Sequence, residues 1–210
     1  MNGDLDISMD KSKSLAGLYE KVEKADLPLK WTATKLVFGK GNPHAAIMFV
    51  AEAPGKNEDL QGLPFVGAAG KILDTMLKSI GLTIDDIYIA NILKYRPPNN
   101  REPQKDEIIA HTPYLIEQIK IIQPKIIVTL GNYATKFILS SCDVEAMDKV
   151  PGISTLHGKE KKVVIAGVSY RIVPMYHPAA LMYDRKLMTV AEQDFKNLKA
   201  ELGQRTLSGF

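Results

Sequence analysis

Two carboxylates, an amide, an aromatic ring and a histidine stand where apolar runs of this chain give way to polar ones. Glu52, Glu58 and Phe65 lie in AEAPGKNEDLQGLPFVG after Val50, Asn91 ends the run from Ile87, Gly131 and Asn132 follow Leu130, and His177 with Pro178 follows Met175. Together they make a kit for gripping a planar, polar heterocycle. Each residue also has an ordinary reading. Phe65 alone reads as core, since apolar residues are usually buried. Inside Gly62-Leu63-Pro64-Phe65-Val66-Gly67 it lies in an irregular loop instead, where function concentrates. An amide in an apolar run, such as Asn91, must have its hydrogen bonds met by a loop or by a ligand. Glu58, beside Asn57 and Asp59, reads equally well as part of a solvated loop.

The elements that must position these residues are legible as a strand and helix alternation. The polar stretch from Met1 to Lys13 is expected to be a mobile arm, ahead of a single domain over 14–210. Leu15, Leu18, Tyr19 and Val22 share one helical face. The run Ala45–Val50 predicts a strand, and Ala69 to Ile80 a helix stopped by Gly81. Ile87–Ile92 predicts the next strand and Lys105–Ile122 a long helix with the stripe Ile108, Thr112, Leu115, Ile119 and Ile122. Lys125–Leu130 predicts a third strand and Tyr133–Leu139 a helix; Val163–Val168 and Ile172–Met175 read as a hairpin-like pair, and Val190–Leu202 as the closing helix. Strands apolar on both faces and separated by helices imply a parallel sheet covered on both sides, an α/β class. Ligands in such folds bind just beyond the carboxyl ends of the strands, where the polar residues above converge.

Composition narrows the function classes. With 210 residues the chain suits one domain with a sizeable core. Its longest apolar run, Ala45 to Ala51, is far short of the ~18 residues of a membrane span, and the polar start argues against a secretory signal. The one cysteine, Cys142, forbids an intrachain disulfide or a multi-cysteine metal site. That points to an intracellular protein, cytoplasmic or nucleoid-associated. A net charge of +3 permits a polyanionic partner without demanding one. His44, His111, His157 and His177 have no ligand-like spacing.

The motifs together are recognisable. Glu52-Ala53-Pro54-Gly55, Glu58-Asp59 and Gly62 through Gly70 resemble the first motif of the family 4 uracil-DNA glycosylases. Asn91 with Lys94 and RPPNNR resembles the second, Leu130-Gly131-Asn132-Tyr133-Ala134 the phosphate-contacting turn, and His177-Pro178-Ala179-Ala180-Leu181 the last. The resemblance runs from about Leu15 to Leu202. It implies a three-layer α/β/α sandwich around a short central parallel sheet. It also implies that deoxyuridine, flipped out of single- or double-stranded DNA, is hydrolysed to free uracil and an abasic site. By the same resemblance Phe65, Ala53 and Gly55 form the uracil pocket, Asn91 reads the base, and His177 donates to uracil O2. Glu58 would position the attacking water and Glu52 assist it. Leu181 would be the wedge filling the vacated stack, with Gly131 and Asn132 holding phosphates. Lys94, Arg96, Arg101, Arg185 and Lys186 would supply positive charge near the DNA. A monomer is the family's default.

The chain departs from that family in ways that matter. Most members carry an iron–sulfur cluster on four cysteines, and in register those positions fall at about Lys24, Leu27, Tyr95 and His111. None is a cysteine, so no cluster and no other cofactor is expected. The first motif begins with Ala51 instead of glycine, His157 stands where members often place an arginine, and the wedge continues Met182-Tyr183. Two other function classes compete: a catalytically silent DNA-binding relative that recognises uracil or abasic sites, and an enzyme acting on small nucleosides. The wedge leucine and basic loops argue against the last.

Overall fold

Strands only five residues long, buried on both faces, can persist only between layers of helices, and that is how this chain folds. The structure, a computed structural model, describes residues 3–203 and the side chains of 10–202. In chain order it runs α1 (Gly3–Lys24), β1 (Lys40–Gly41), β2 (Ile47–Ala51), α2 (Lys56–Gln61), α3 (Ala68–Ser79), β3 (Ile87–Asn91) and α4 (Lys105–Ile122). It continues β4 (Ile126–Leu130), α5 (Asn132–Leu139), α6 (Ile153–Leu156), β5 (Lys161–Ile165), β6 (Val168–Met175), α7 (Pro178–Leu181) and α8 (Arg185–Gly203).

The strand order is β1-β3-β2-β4-β6-β5. The four inner strands are parallel, and β1 and β5 close the edges antiparallel. Alternation along the strands splits the core in two. Met48, Val50, Tyr88 and Ile127 pack under α1, α4 and α5, whereas Ile47, Phe49, Ile89 and Val128 pack under α3 and α8. This is the expected α/β/α sandwich, with antiparallel strands added at its two edges.

Of the stretch 1–13 expected to be an arm, residues 1 and 2 lie outside the described residues, while 3–13 form the first half of α1, and Lys11 Nζ donates to Ile122 O at the end of α4 (2.9 Å). A lysine ammonium capping a helix's last carbonyls is electrostatically favourable, a link that local polarity does not reveal.

Register delivers the site. Pairing of Ala51 with Asn91 sets Glu52 and Asn91 side by side at the carboxyl end of the sheet. Pairing of Leu130 with Met175 brings Gly131 against His177.

Candidate active site

Beyond those strand ends lies a cavity of about 370 Å³ lined by Glu52, Ala53, Pro54, Gly55, Glu58, Phe65, Asn91, Arg101, His177 and their neighbours. Asn91 is only 2% exposed. Its Oδ1 is the one buried side-chain polar atom without a hydrogen-bond partner among the described residues. Leaving such an acceptor unmet costs ~1–3 kcal/mol. Because Asn91 also lines the cavity, that acceptor is open to an N–H donor placed there.

Phe65 forms a wall of the same cavity, 8% exposed, its ring centroid 5.8 Å from that of His177 at a tilt of 31°. Its φ of 52° is the left-handed region that a bulky residue avoids, so the loop must be held from outside. Three contacts hold it. Glu58 Oε1 accepts from Val66 N (2.9 Å) and Gly67 N (3.0 Å), and Lys40 Nζ donates to Phe65 O (3.2 Å). At Gly70 a Cβ would stand 2.1 Å from Phe65 O, so only glycine lets α3 begin this close to the loop.

The two glutamates therefore differ. Glu58 sits in α2, not in a polar loop, and spends Oε1 on the loop backbone. Glu52 lines the cavity half-buried; desolvation pushes its carboxyl above the usual range, and the Glu102 charge adds to this.

His177 is the N-cap of α7, and its Nδ1 accepts from Ala179 N (3.2 Å), which leaves the ring proton on Nε2. Burial lowers its pKa, and the Glu58 carboxylate pulls in the opposite sense. The residue is thus a neutral donor in a desolvated wall. Gly131 (φ 89°) turns the chain beside it; a Cβ there would lie 3.0 Å from His177 Cβ. Asn132 Oδ1 accepts from Ile153 N (3.0 Å), tying the start of α5 to the start of α6.

Several expected DNA contacts are placed otherwise. Lys94 is fully buried, its Nζ bonded to Asn91 O and Gln118 Oε1, so it cannot meet a phosphate. Leu181, the expected wedge, is 4% exposed because it packs inward as α7 ends. The exposed apolar side chains of that loop are Met182 (45%) and Tyr183 (87%). Arg101 lines the cavity but grips Glu107 with both guanidinium nitrogens, while Glu107 also caps α4 through Gln104 N. Arg96 bonds Asn100 Oδ1 (2.7 Å). Arg185 and Lys186 are exposed at the start of α8.

Sequence reasoning missed two polar groupings. On α4, His111 and Gln118 interrupt the apolar stripe seven residues apart, and both are buried. That interval was the available signal, because residues so spaced share a helix face. The other is His157, whose Nδ1 lies 2.9 Å from Asp194 Oδ2 and whose ring lies 4.8 Å from that of Tyr176.

At Tyr95 and His111, two of the positions where the resemblance sets the cluster, the side chains are engaged with other protein groups. His111 accepts from Lys94 N through Nδ1 and approaches Pro28 O through Nε2, and Tyr95 is buried edge-on against its ring. Burial lowers the His111 pKa to about 4 and pushes the Cys142 thiol up to about 12. Among the described residues no three His, Cys, Asp or Glu side chains are grouped to hold a metal ion.

Comparison with known proteins places this geometry. The profile of the uracil DNA glycosylase superfamily matches residues 38–202. The chain is 50% identical over 169 residues to a type-4 uracil-DNA glycosylase of Sulfurisphaera tokodaii, covering 79% of this chain and 74% of that protein. It is 41% identical over 202 residues to that of Saccharolobus solfataricus (95% and 90%) and 45% identical over 174 to that of Archaeoglobus fulgidus (83% and 85%). With sheet register, cavity and homology in agreement, the chain belongs to the uracil DNA glycosylase superfamily.

Proposed function

We propose that this protein is a monofunctional uracil-DNA glycosylase that takes deoxyuridine out of the DNA stack and hydrolyses its N-glycosidic bond. The relatives' activity supports the reaction class. The observation that carries the substrate is the orphaned Asn91 Oδ1 at the base of the cavity. Uracil offers N3–H to that acceptor and O4 to the amide NH2, while Phe65 stacks on the ring and His177 Nε2–H meets O2. Water adds to C1′ as the bond to N1 breaks; the electron pair leaves with uracil, and the water proton neutralises it afterwards. His177 opposes the charge that builds on O2, which is where a preorganised donor acts most strongly. We assign the water to Glu52, whose lifted pKa makes it the better base, and the shaping of the Phe65 loop to Glu58.

The DNA backbone is met by N–H groups at the start of α5, beside Gly131 and Asn132, and by Arg185 and Lys186; we expect a monomer acting on DNA inside the cell. Tyr183, with Met182, takes the wedge role on the exposed loop. Tyr183→Ala is expected to slow excision from duplex DNA about tenfold and from single strands by less than twofold, because only a duplex stack must be refilled. Equal losses on both substrates would remove the wedge assignment. We further propose that the protein works without an iron–sulfur cluster. Purified anaerobically, it should be colourless and hold no stoichiometric iron; a bound cluster would overturn this.

The direct test incubates the protein with a uracil-containing oligonucleotide, single- and double-stranded, then cleaves abasic sites with alkali. Cleavage at the uracil position is expected. Tight binding to uracil or abasic DNA without cleavage would instead identify a silent damage-recognition protein.

A further inference from the structure

A lysine buried without a carboxylate is costly, and this chain buries one directly behind its base-reading residue. Lys94 is fully buried; its Nζ donates to Asn91 O at 2.7 Å and to Gln118 Oε1 at 2.6 Å. Gln118 Nε2 in turn donates to Phe38 O (2.9 Å), and Lys94 N donates to His111 Nδ1 (3.0 Å). This staple joins the carboxyl end of β3 to α4 and to the segment before β1. The partners of the ammonium are neutral oxygens, so its charge is not cancelled where it lies. Burial lowers its pKa to about 7. Below that pH the group is an ammonium, and a negative charge developing nearby favours that form.

We propose that Lys94 is a positioning residue for uracil departure: it holds the Asn91 main chain from behind and, through it, sets an uncancelled positive charge beneath the leaving base. This rests on the uracil-excision reading and deepens it. Bond breaking leaves the electron pair, and a negative charge, on uracil. A unit charge one residue behind the base, in a medium of effective dielectric ~20, changes the rate on the order of tenfold or more. A neutral amide could make the same two hydrogen bonds but would supply none of this.

The test compares Lys94→Met with wild type under single-turnover conditions, on oligonucleotides carrying uracil or 5-fluorouracil at the same position. Fluorine stabilises the departing anion, so departure of 5-fluorouracil leans less on the protein. Lys94→Met is expected to lose tenfold or more on uracil and only a few-fold on 5-fluorouracil, with DNA affinity within twofold of wild type. Lys94→Arg, which keeps the charge, should recover most of the uracil rate. If Lys94→Met does not fold, Gln118→Glu tests the same point by setting a carboxylate against the ammonium, and the same unequal losses are expected. Equal losses on the two bases, or a uracil rate within twofold of wild type, would overturn the proposal and leave the excision reading intact. Excision of neither base by the wild-type protein would instead sink that reading.

Discussion

Replacing His177 with alanine is expected to lower single-turnover excision of uracil by about 10²- to 10³-fold, with little change in DNA affinity. Removing one preorganised donor from a developing oxyanion costs ~2.7–4 kcal/mol. The surroundings of His177 suit it to donate there. Nδ1 is held by the Ala179 amide, Nε2 keeps its proton, and burial keeps the ring neutral. Its pKa in the folded protein lies below the ordinary ~6.5, so the neutral donor persists above that pH. As pH falls through the folded value, the ring takes a proton on Nδ1 and loses the α7 cap. The unfolded chain gains its proton first, so folding weakens as pH drops below ~6.5. Excision rates at pH 7.5 check the first statement, and the variant should be the slower. Denaturant unfolding of wild type and His177→Ala between pH 5 and 8 checks the second, and the variant should lose the part of the acid-side weakening that belongs to His177. A variant within threefold of wild type at pH 7.5 would show that the donor lies elsewhere.

Replacing Asn91 with aspartate is expected to abolish most uracil excision and to introduce weak excision of cytosine. Uracil presents an acceptor at O4 and a donor at N3, whereas cytosine presents a donor at N4 and an acceptor at N3. The wild-type amide, oriented for uracil, faces cytosine donor to donor and acceptor to acceptor. Each buried group left unmet costs ~1–3 kcal/mol, so the double mismatch rejects cytosine by about 10²- to 10⁴-fold. Aspartate removes the NH2 donor and offers an oxygen to N4–H. Matched oligonucleotides with uracil or cytosine at one position read the switch. Asn91→Asp that keeps wild-type uracil activity would contradict it.

Much of this was legible in the residues, and the parts that were not have a common cause. The inner strands announced themselves because a sheet covered on both sides needs continuous apolar runs, and Glu52, Asn91 and His177, at or just past the ends of three of those runs, line the cavity. β1 was missed because two residues, Lys40 and Gly41, carry no periodicity and pair only where the edge of β3 is free. The burial of Leu181 and Lys94 was not legible, for a shared reason. A motif gives spacing along the chain but not which way a side chain turns, and here the leucine packs inward while the lysine finds two buried acceptors. The division of labour between Glu52 and Glu58 was likewise out of reach. It depends on two loop amides, at Val66 and Gly67, reaching back across a turn to Glu58.

The central claim is that the unmet acceptor of Asn91 is where uracil is recognised, and Asn91→Ala measures it most directly. Single-turnover excision from a uracil-containing oligonucleotide should fall by at least 10²-fold, with no cytosine excised and DNA binding retained. Uracil excision within a factor of a few of wild type would make Asn91 a structural residue and put the pocket in the wrong place.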